Sequence, residues 1–185
     1  ASRRVAARLP SLGRPRTYST AALEGARHLP CTTLTEDETM MRDAAAHFSA
    51  TEIMPRVERM DDAGAFEPEL VQGLFAQGFM GIEIAEAHGG VGGSLTSALV
   101  VIEELAKADP SVSVMCDIHN TIVNNCFTYW ADKRLQEQWL PRLSADCLGA
   151  FCLSEASSGS DAFALRTTAR REGEHYLLNG EKMWI

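Results

Sequence analysis

The amino-acid sequence predicts an α+β fold in which an all-helical domain precedes a region of antiparallel strands. Residues 34–146 contain repeated helical periodicity and helix-capping signals. Residues 147–185 contain short apolar runs and an Asn-Gly turn signal. Helices that come first and strands that follow are typical of two successive domains, not of alternating β-α-β units. The chain of 185 residues is long enough to bury a sizeable core.

The first two predicted helices are marked by capping residues and by proline. Residues Thr35–Glu38 form a T-x-x-E capping box that opens a helix, and Pro55 is expected to break or restart that helix. Pro68 lies in the first turn of the next helix, and Gly78 is its predicted C-terminal cap. The residues predicted to face the core are Met41, Ala45, Phe48, Ile53, Leu70, Leu74 and Phe75.

Three further helices are predicted before residue 146. Ser94 caps a helix over Leu95–Ala106, which is apolar around most of its circumference and is therefore expected to be buried. The next helix spans Ser111–Tyr129. Asp132 caps a short helix that is expected to stop near Pro141.

The remaining segment is predicted to form strands. The apolar run Leu148–Leu153 has the length of one strand, and residues 166–171 alternate loosely. His175–Leu178 and Glu181–Trp184 flank Asn179-Gly180, which is a strong signal for a two-residue hairpin turn.

Composition excludes several classes of function. The net charge of −8 argues against a nucleic-acid-binding protein. No apolar run approaches the ~18 residues that a membrane span needs. The five histidines and five cysteines show no metal-ligand spacing. The cysteines, with no C-x-x-C pair, are typical of reduced thiols in an intracellular compartment.

The first 33 residues differ from the rest of the chain. Residues 1–30 contain six arginines and a single acid, Glu24, and several serines and threonines accompany them. This composition predicts a mitochondrial transit peptide, with Arg16 placed for matrix-protease cleavage near Tyr18. A disordered basic tail is the alternative interpretation.

The segment Phe151–Asp161 is the strongest candidate for a binding site. A short apolar run leads into a loop of small residues that ends in Gly159-Ser160-Asp161. Such a loop can direct backbone N–H groups and hydroxyls toward one anion. A Gly/Ser loop is often a plain connection, but no dinucleotide fingerprint or Walker loop competes with it elsewhere in the chain.

Several further segments of residues 34–185 form a recognisable set together with the loop: Met80–Glu83, Val101–Lys107, Phe151–Glu155, Gly159–Asp161 and Leu178–Ile185. With these segments the chain resembles the acyl-CoA dehydrogenases, and most closely their short/branched-chain subgroup. Ala156, where most of the family has proline, favours that subgroup. Ser157-Ser158 departs from the usual glycine and small residue and is expected to alter the loop backbone.

The resemblance implies an FAD site. Phe151, Leu153 and Ser154 would lie along the isoalloxazine, Gly159 and Ser160 would bind the pyrophosphate, and Ser160 would also face the acyl-CoA. Trp184 would cover the ring near its reactive nitrogen, followed by Ile185. The whole implied flavin-lining set is Phe151, Cys152, Leu153, Ser154, Glu155, Ala156, Ser157, Ser158, Gly159, Ser160, Trp184 and Ile185, within which Ser157 is assigned no direct contact and Glu155 is expected to order its own loop.

The implied activity is α,β-dehydrogenation of short/branched-chain acyl-CoA thioesters, in fatty-acid or isoleucine catabolism in the mitochondrial matrix. The implied partners are an electron-transfer flavoprotein and, in a homotetramer, further copies of the chain. The family's catalytic glutamate belongs to a C-terminal domain that this chain lacks, so the chain alone is expected to be inactive. The domains would be a leader (1–33), a helical domain (34–146) and the start of a truncated middle β-barrel domain (147–185). A non-catalytic truncated product and an acyl-CoA oxidase are the alternatives.

Overall fold

The structure is a computed structural model that describes residues 33–185. The predicted leader lies almost wholly outside this range. In chain order, the helices and strands of the described residues are α1 (Glu36–Phe48), α2 (Val57–Ala63), α3 (Pro68–Ala76), α4 (Leu95–Ala106), α5 (Pro110–Asp117), α6 (Asn125–Trp130), α7 (Lys133–Ala145), β1 (Thr168–Glu172) and β2 (His175–Asn179). The predicted order of helices followed by antiparallel strands is confirmed.

The start of α1 is fixed by the predicted capping box. The Thr35 hydroxyl accepts the Glu38 N–H at 3.2 Å, and the Glu38 carboxylate accepts the Thr35 N–H at 2.9 Å. These two bonds satisfy N–H groups that have no partner inside the helix. The α-helix restarts after Pro55, which is one of the two expected outcomes. A π-helical turn (Ser49–Ile53) and a 3₁₀ turn (Met54–Arg56) lead the chain into α2.

Helix α4 begins where predicted, but it is not buried on all sides. The Ser94 hydroxyl accepts the Ser97 N–H at 3.1 Å. Val101 and Leu105 are buried on one face, whereas Leu95 and Leu99 are half exposed on the other. The expected burial of this helix therefore holds for one face only. An apolar sequence shows which faces a helix can bury, and the neighbouring elements determine which face is covered.

The next two predicted helices each differ from the structure, the first in its interior and the second at its C-terminal end. The chain is helical from Pro110 to Trp130, but the middle, Ile118–Asn124, is π-helical. Helix α7 starts at Asp132, whose carboxylate accepts the Leu135 N–H at 2.9 Å, and it continues past Pro141 to Ala145. The predicted stop at Pro141 was wrong. Leu140 and Leu143, which are buried on either side of the proline, hold that turn against the core.

The described core consists of two apolar clusters. The larger cluster receives residues from each of the helices α1, α2, α3, α4 and α5. Its members include Phe48, Ile53, Leu74, Val101 and Leu105. The smaller cluster contains Ile84, Val123, Leu140 and Leu143, and it packs the π-helical turn against α7. The second cluster therefore lies beneath the point at which the chain leaves the helical region.

Residues 147–185 contain a hairpin, but not the predicted one. Strands β1 and β2 pair antiparallel, with Thr168 opposite Asn179 and Glu172 opposite His175. The turn is therefore Gly173-Glu174, where Gly173 has a φ of 61° that glycine adopts at little cost. The run Leu148–Leu153 forms no strand, because no neighbouring strand of the described chain pairs with it. Among residues 33–185, no helix combines the length and the apolar composition that a membrane crossing requires.

Candidate functional site

The predicted flavin-lining segment leaves α7 as an extended chain and then turns tightly. Phe151, Cys152 and Leu153 are exposed, and Ser154 is partly buried. The turn closes between Glu155 and Ser158, whose backbone N–H groups each donate to the other residue's carbonyl at 3.0 Å. The segment thus presents apolar side chains to solvent immediately before a closed loop.

Glu155 anchors this loop. Its buried carboxylate accepts the Arg166 N–H at 2.7 Å, the Thr167 N–H at 3.1 Å and the Lys182 ammonium at 2.9 Å. Hydrogen bonds from Thr167, Arg166 and Lys182 lower the pKa of Glu155 to about 2, because each of them stabilises the charged form. The expectation that Glu155 orders its own loop agrees with this geometry.

The end of the described chain returns to the same segment. The Lys182 ammonium donates to the Leu153 carbonyl at 3.0 Å, and the Met183 N–H donates to the Ser154 carbonyl at 2.8 Å. Trp184 follows directly and is 91% exposed. It has a φ of 60°, and among the described residues no other residue except glycine has a positive φ. The structure therefore brings the predicted residues 151–155 and 184–185 to neighbouring backbone positions.

In the small-residue part of the loop, one side chain is hydrogen-bonded within the loop and the others are exposed to solvent. The buried Ser158 donates its hydroxyl to the Asp161 carbonyl at 2.8 Å, so that hydroxyl is committed within the loop. Ala156, Ser157, Gly159 and Ser160 are exposed, and no heavy atom lies within 4 Å of the place a Cβ would take on Gly159.

The serine pair causes no backbone strain. Neither Ser157 nor Ser158 adopts a positive φ, so neither serine occupies the backbone conformation that it tolerates less well than glycine. A cleft of about 200 Å³ lies between Glu155–Ser157 on one side and Arg166, Thr167, Gly180 and Glu181 on the other. That volume is below the ~300 Å³ at which cofactor and ligand pockets usually begin. Within the described part of the chain, no group of three or more His, Cys, Asp or Glu side chains is placed to hold a metal.

Two buried asparagines hold the chain that precedes α4 against the π-helical turn. Asn120 accepts the Ile82 N–H at 3.0 Å and donates to the Phe79 carbonyl at 2.8 Å. Asn124 donates to the Met80 carbonyl at 2.9 Å. Backbone groups between α3 and α4 that belong to no helix or strand are satisfied in this way. These residues were not predicted, since an isolated Asn in a helix gives no sequence signal of its partner.

His119 ties the start of the candidate segment to the helices and was also not predicted. Its Nε2 lies 2.8 Å from the Leu143 carbonyl, and its Nδ1 accepts the Gly149 N–H at 3.0 Å. Burial lowers the pKa of His119, because the charged imidazolium loses its hydration. Gly149 stands two residues before Phe151.

A comparison with protein families identifies the class of protein. The model of the acyl-CoA dehydrogenase N-terminal domain matches residues 35–146, and the chain belongs to the acyl-CoA dehydrogenase family. These enzymes are flavin-dependent oxidoreductases, and FAD is their cofactor. The predicted resemblance is thereby confirmed.

Comparison with curated relatives indicates which members of the family the chain is similar to. The chain is 45% identical over 156 residues to the mitochondrial short/branched chain specific acyl-CoA dehydrogenase of Rattus norvegicus, covering 84% of this chain and 36% of that enzyme. It is 36% identical over 153 residues to an acyl-CoA dehydrogenase of Bacillus subtilis, covering 82% of this chain and 40% of that enzyme. The chain therefore spans less than half the length of these relatives.

Solved structures agree with the family assignment. Butyryl-CoA dehydrogenase from Megasphaera elsdenii superposes with a TM-score of 0.76 at 30% identity, covering 81% of this chain and 40% of that one. Glutaryl-CoA dehydrogenase from Mycobacterium smegmatis, solved in complex with FADH2, also gives 0.76 at 28% identity, covering 82% of this chain and 39% of that one.

Proposed function

We propose that these residues form the N-terminal part of an FAD-dependent acyl-CoA dehydrogenase that oxidises short/branched-chain acyl-CoA thioesters. The observation that carries the proposal is the pairing of two segments. Met183 and Lys182 bond to the backbone of Ser154 and Leu153, and the apolar side chains beside these bonds remain exposed. A flat aromatic cofactor needs such apolar walls.

The exposed groups fit the parts of FAD. Phe151 and Leu153 offer apolar contact to the isoalloxazine, and Trp184, with Ile185 beside it, offers a cover that would exclude water. Gly159 and Ser160 are open to a pyrophosphate. Ser160 would also face the acyl-CoA. The FAD, when bound, supplies the acceptor for the hydride that leaves the β-carbon of the thioester.

No carboxylate of the described chain is proposed as the base that removes the α-proton. The Glu155 carboxylate is held by Arg166, Thr167 and Lys182, and the Glu104 carboxylate pairs with Lys107 at 2.6 Å. The base is instead assigned to the family's C-terminal domain, so the 185 residues by themselves are expected to bind flavin weakly and to be inactive.

The setting and the partners of the enzyme belong to the same proposal. The relatives from Rattus norvegicus and Bos taurus are mitochondrial enzymes, which supports the mitochondrial matrix as the location and residues 1–33 as the leader. The enzyme is further proposed to act in isoleucine catabolism, to form a homotetramer and to pass its electrons to an electron-transfer flavoprotein. The division between a helical domain (34–146) and a middle β domain that begins at residue 147 is also part of the proposal. A non-catalytic product and an oxidase gain no support, since the relatives are dehydrogenases by name.

FAD titration of the apo-form of the flavoenzyme that contains these residues tests the site. Ser160→Ala should weaken binding by about 1.5–3 kcal/mol, since a hydroxyl donor to a charged phosphate is lost. Ser154→Ala should shift the flavin reduction potential more than the affinity. Ser157→Ala is the matched control, because Ser157 is exposed on the same loop and is assigned no contact. Equal losses of affinity for Ser157→Ala and Ser160→Ala would show that the proposed register of the loop is wrong.

The reaction itself is tested with 2-methylbutyryl-CoA. We expect turnover when electron-transfer flavoprotein accepts the electrons and little consumption of oxygen. Rapid oxygen consumption without electron-transfer flavoprotein would favour the oxidase alternative.

A further inference from the structure

His119 joins three parts of the chain that are far apart in sequence. The ring belongs to the π-helical turn between α5 and α6. One nitrogen bonds to the Leu143 carbonyl in the last turn of α7, and the other bonds to the Gly149 N–H, beyond the helix end. The ring is fully buried and lies edge-on to Phe75, with ring centroids 5.7 Å apart.

The partners of the ring determine its protonation. A carbonyl only accepts hydrogen bonds, so Nε2 must carry a proton and donate it to Leu143. A backbone N–H only donates, so Nδ1 must be unprotonated to accept the bond from Gly149. His119 is therefore neutral with its proton on Nε2. The lowering of its pKa by burial favours the same state.

The two bonds fix the place where the chain leaves the helical region. The last carbonyls of a helix have no partner within the helix, and the Cys147 N–H bonds to the Arg142 carbonyl and not to Leu143. His119 thus satisfies the Leu143 carbonyl. Gly149 packs so closely on the π-helical turn that a Cβ there would overlap the Val123 side chain. The chain is therefore held at Gly149 both by a hydrogen bond and by close packing.

We propose that His119 is a positioning residue for the flavin site. This inference rests on the proposed function. Residues 150–153 form no strand, and the ties described for this stretch are Gly149 at one end and Leu153 and Ser154 at the other. Of the proposed wall of the isoalloxazine, Phe151 lies between these ties and Leu153 lies at the second tie. Loss of the His119 bonds would leave the first tie to close packing against Val123 alone, and so weaken the attachment of the wall at that end.

Two substitutions separate hydrogen bonding from bulk. His119→Gln keeps a donor and an acceptor on one planar group, whereas His119→Leu fills the space without either. Ile53→Ala is the control for general destabilisation, because Ile53 is buried in the larger core cluster and its aliphatic side chain makes no hydrogen bond. The three variants and the wild type are compared with and without FAD.

The first measurement needs no flavin. Long-range ¹H–¹⁵N spectra of the 185-residue chain should show the Nε2–H tautomer of His119. Amide hydrogen exchange at Gly149 should be about tenfold faster in His119→Leu, as expected for loss of one hydrogen bond, and near wild type in His119→Gln. A charged ring, an Nδ1–H tautomer, or unchanged exchange at Gly149 in His119→Leu would overturn the inference.

The second measurement concerns the flavin. In the flavoenzyme that contains these residues, His119→Leu should weaken FAD binding about tenfold and alter the flavin absorption bands, and His119→Gln should restore both. Ile53→Ala should lower the melting temperature without changing the absorption bands. If His119→Leu and Ile53→Ala affect FAD equally, the role of His119 is only structural. If the wild type binds no FAD, the proposed function and this inference about the flavin fail together, and the exchange result at Gly149 still decides whether the tie exists.

Discussion

The helical region, residues 36–145, and the exit segment, residues 147–185, are stabilised by different kinds of interaction. Every buried apolar residue of the described chain lies between Ala45 and Leu143. In the exit segment the buried residues are Glu155 and Ser158, and both are polar. All residues of β1 and β2 are exposed. The helical region is thus organised around an apolar core, and the exit segment around one carboxylate.

The difference follows from how each backbone satisfies its hydrogen bonds. A helix pairs its own N–H and C=O groups, so the side chains of several helices are free to build a core. A strand needs a neighbour, and a two-stranded hairpin has no second layer to cover its apolar side chains. The exit segment therefore presents Tyr176, Leu177 and Leu178 to solvent. In the helical region, apolar residues of the same kind are covered by the packing of α1 against α4.

The largest predicted effect compares one leucine from each region. Leu105→Ala should destabilise the chain by about 2–5 kcal/mol, because Leu105 is 0% exposed and its removal leaves a cavity. Leu178→Ala should change the free energy of unfolding by at most ~0.5 kcal/mol, because Leu178 is 71% exposed. Urea unfolding followed by circular dichroism measures both. Equal losses would mean that Leu178 is buried in solution and that the contrast between the two regions is wrong.

The helical region could be predicted where its signals are local. Thr35, Ser94 and Asp132 cap helices as expected, since a cap depends only on residues within one turn. Pro141 shows the limit of such signals, because the cost of proline inside a helix was outweighed by packing that its neighbours in sequence do not reveal. The π-helical turn at Ile118–Asn124 carried no recognised local signal either.

The candidate site could be predicted only as a segment. Its small-residue composition and its resemblance to a family were visible, but the bond between Glu155 and Lys182 joins residues 27 positions apart. The predicted position of the hairpin turn was wrong because it too depends on a contact between residues far apart in sequence. A turn at Asn179-Gly180 would require residues 181–184 to pair with β2, yet the Met183 N–H is already donated to Ser154. Local turn signals do not show which partner a strand will find.

Acid should disturb the bond between His119 and Gly149 before it disturbs the loop anchored by Glu155. His119 has a lowered pKa in the folded chain, so its contribution to stability is present above its ordinary value of 6.5 and is lost as the pH falls below that value. The pKa of Glu155 is lowered from 4.5 to about 2, so its contribution persists until the pH falls through the range from 4.5 to 2. NMR titration of Gly149 and Gly159 amides should therefore show the tie at Gly149 responding first and the loop second.

Two variants that each remove a titrating side chain assign these acid transitions. His119→Gln should abolish the first transition and leave the second, while Glu155→Gln should abolish the second and leave the first. Glu155→Gln should also loosen the loop at neutral pH, because the ion pair with Lys182 is lost. A single transition that is shared by both amides and by both variants would show that the tie at Gly149 and the loop at Gly159 are disrupted as one unit.

The smallest predicted effect concerns the hairpin turn. Gly173→Val should weaken the hairpin by about 1 kcal/mol, because the φ of 61° at Gly173 is unfavourable for a β-branched residue. Gly173→Asn should cost less, since asparagine tolerates this conformation, and open space around the Cβ position means that crowding does not contribute. Hydrogen exchange of Leu177 and Arg170, which face each other in the register, reports the change. If the alternative turn at Asn179-Gly180 formed in solution, Gly173→Val would leave the exchange of the Leu177 and Arg170 amides unchanged. The substitution at Gly173 therefore tests whether the hairpin turns at Gly173-Glu174, as the register of β1 and β2 requires, or at Asn179-Gly180.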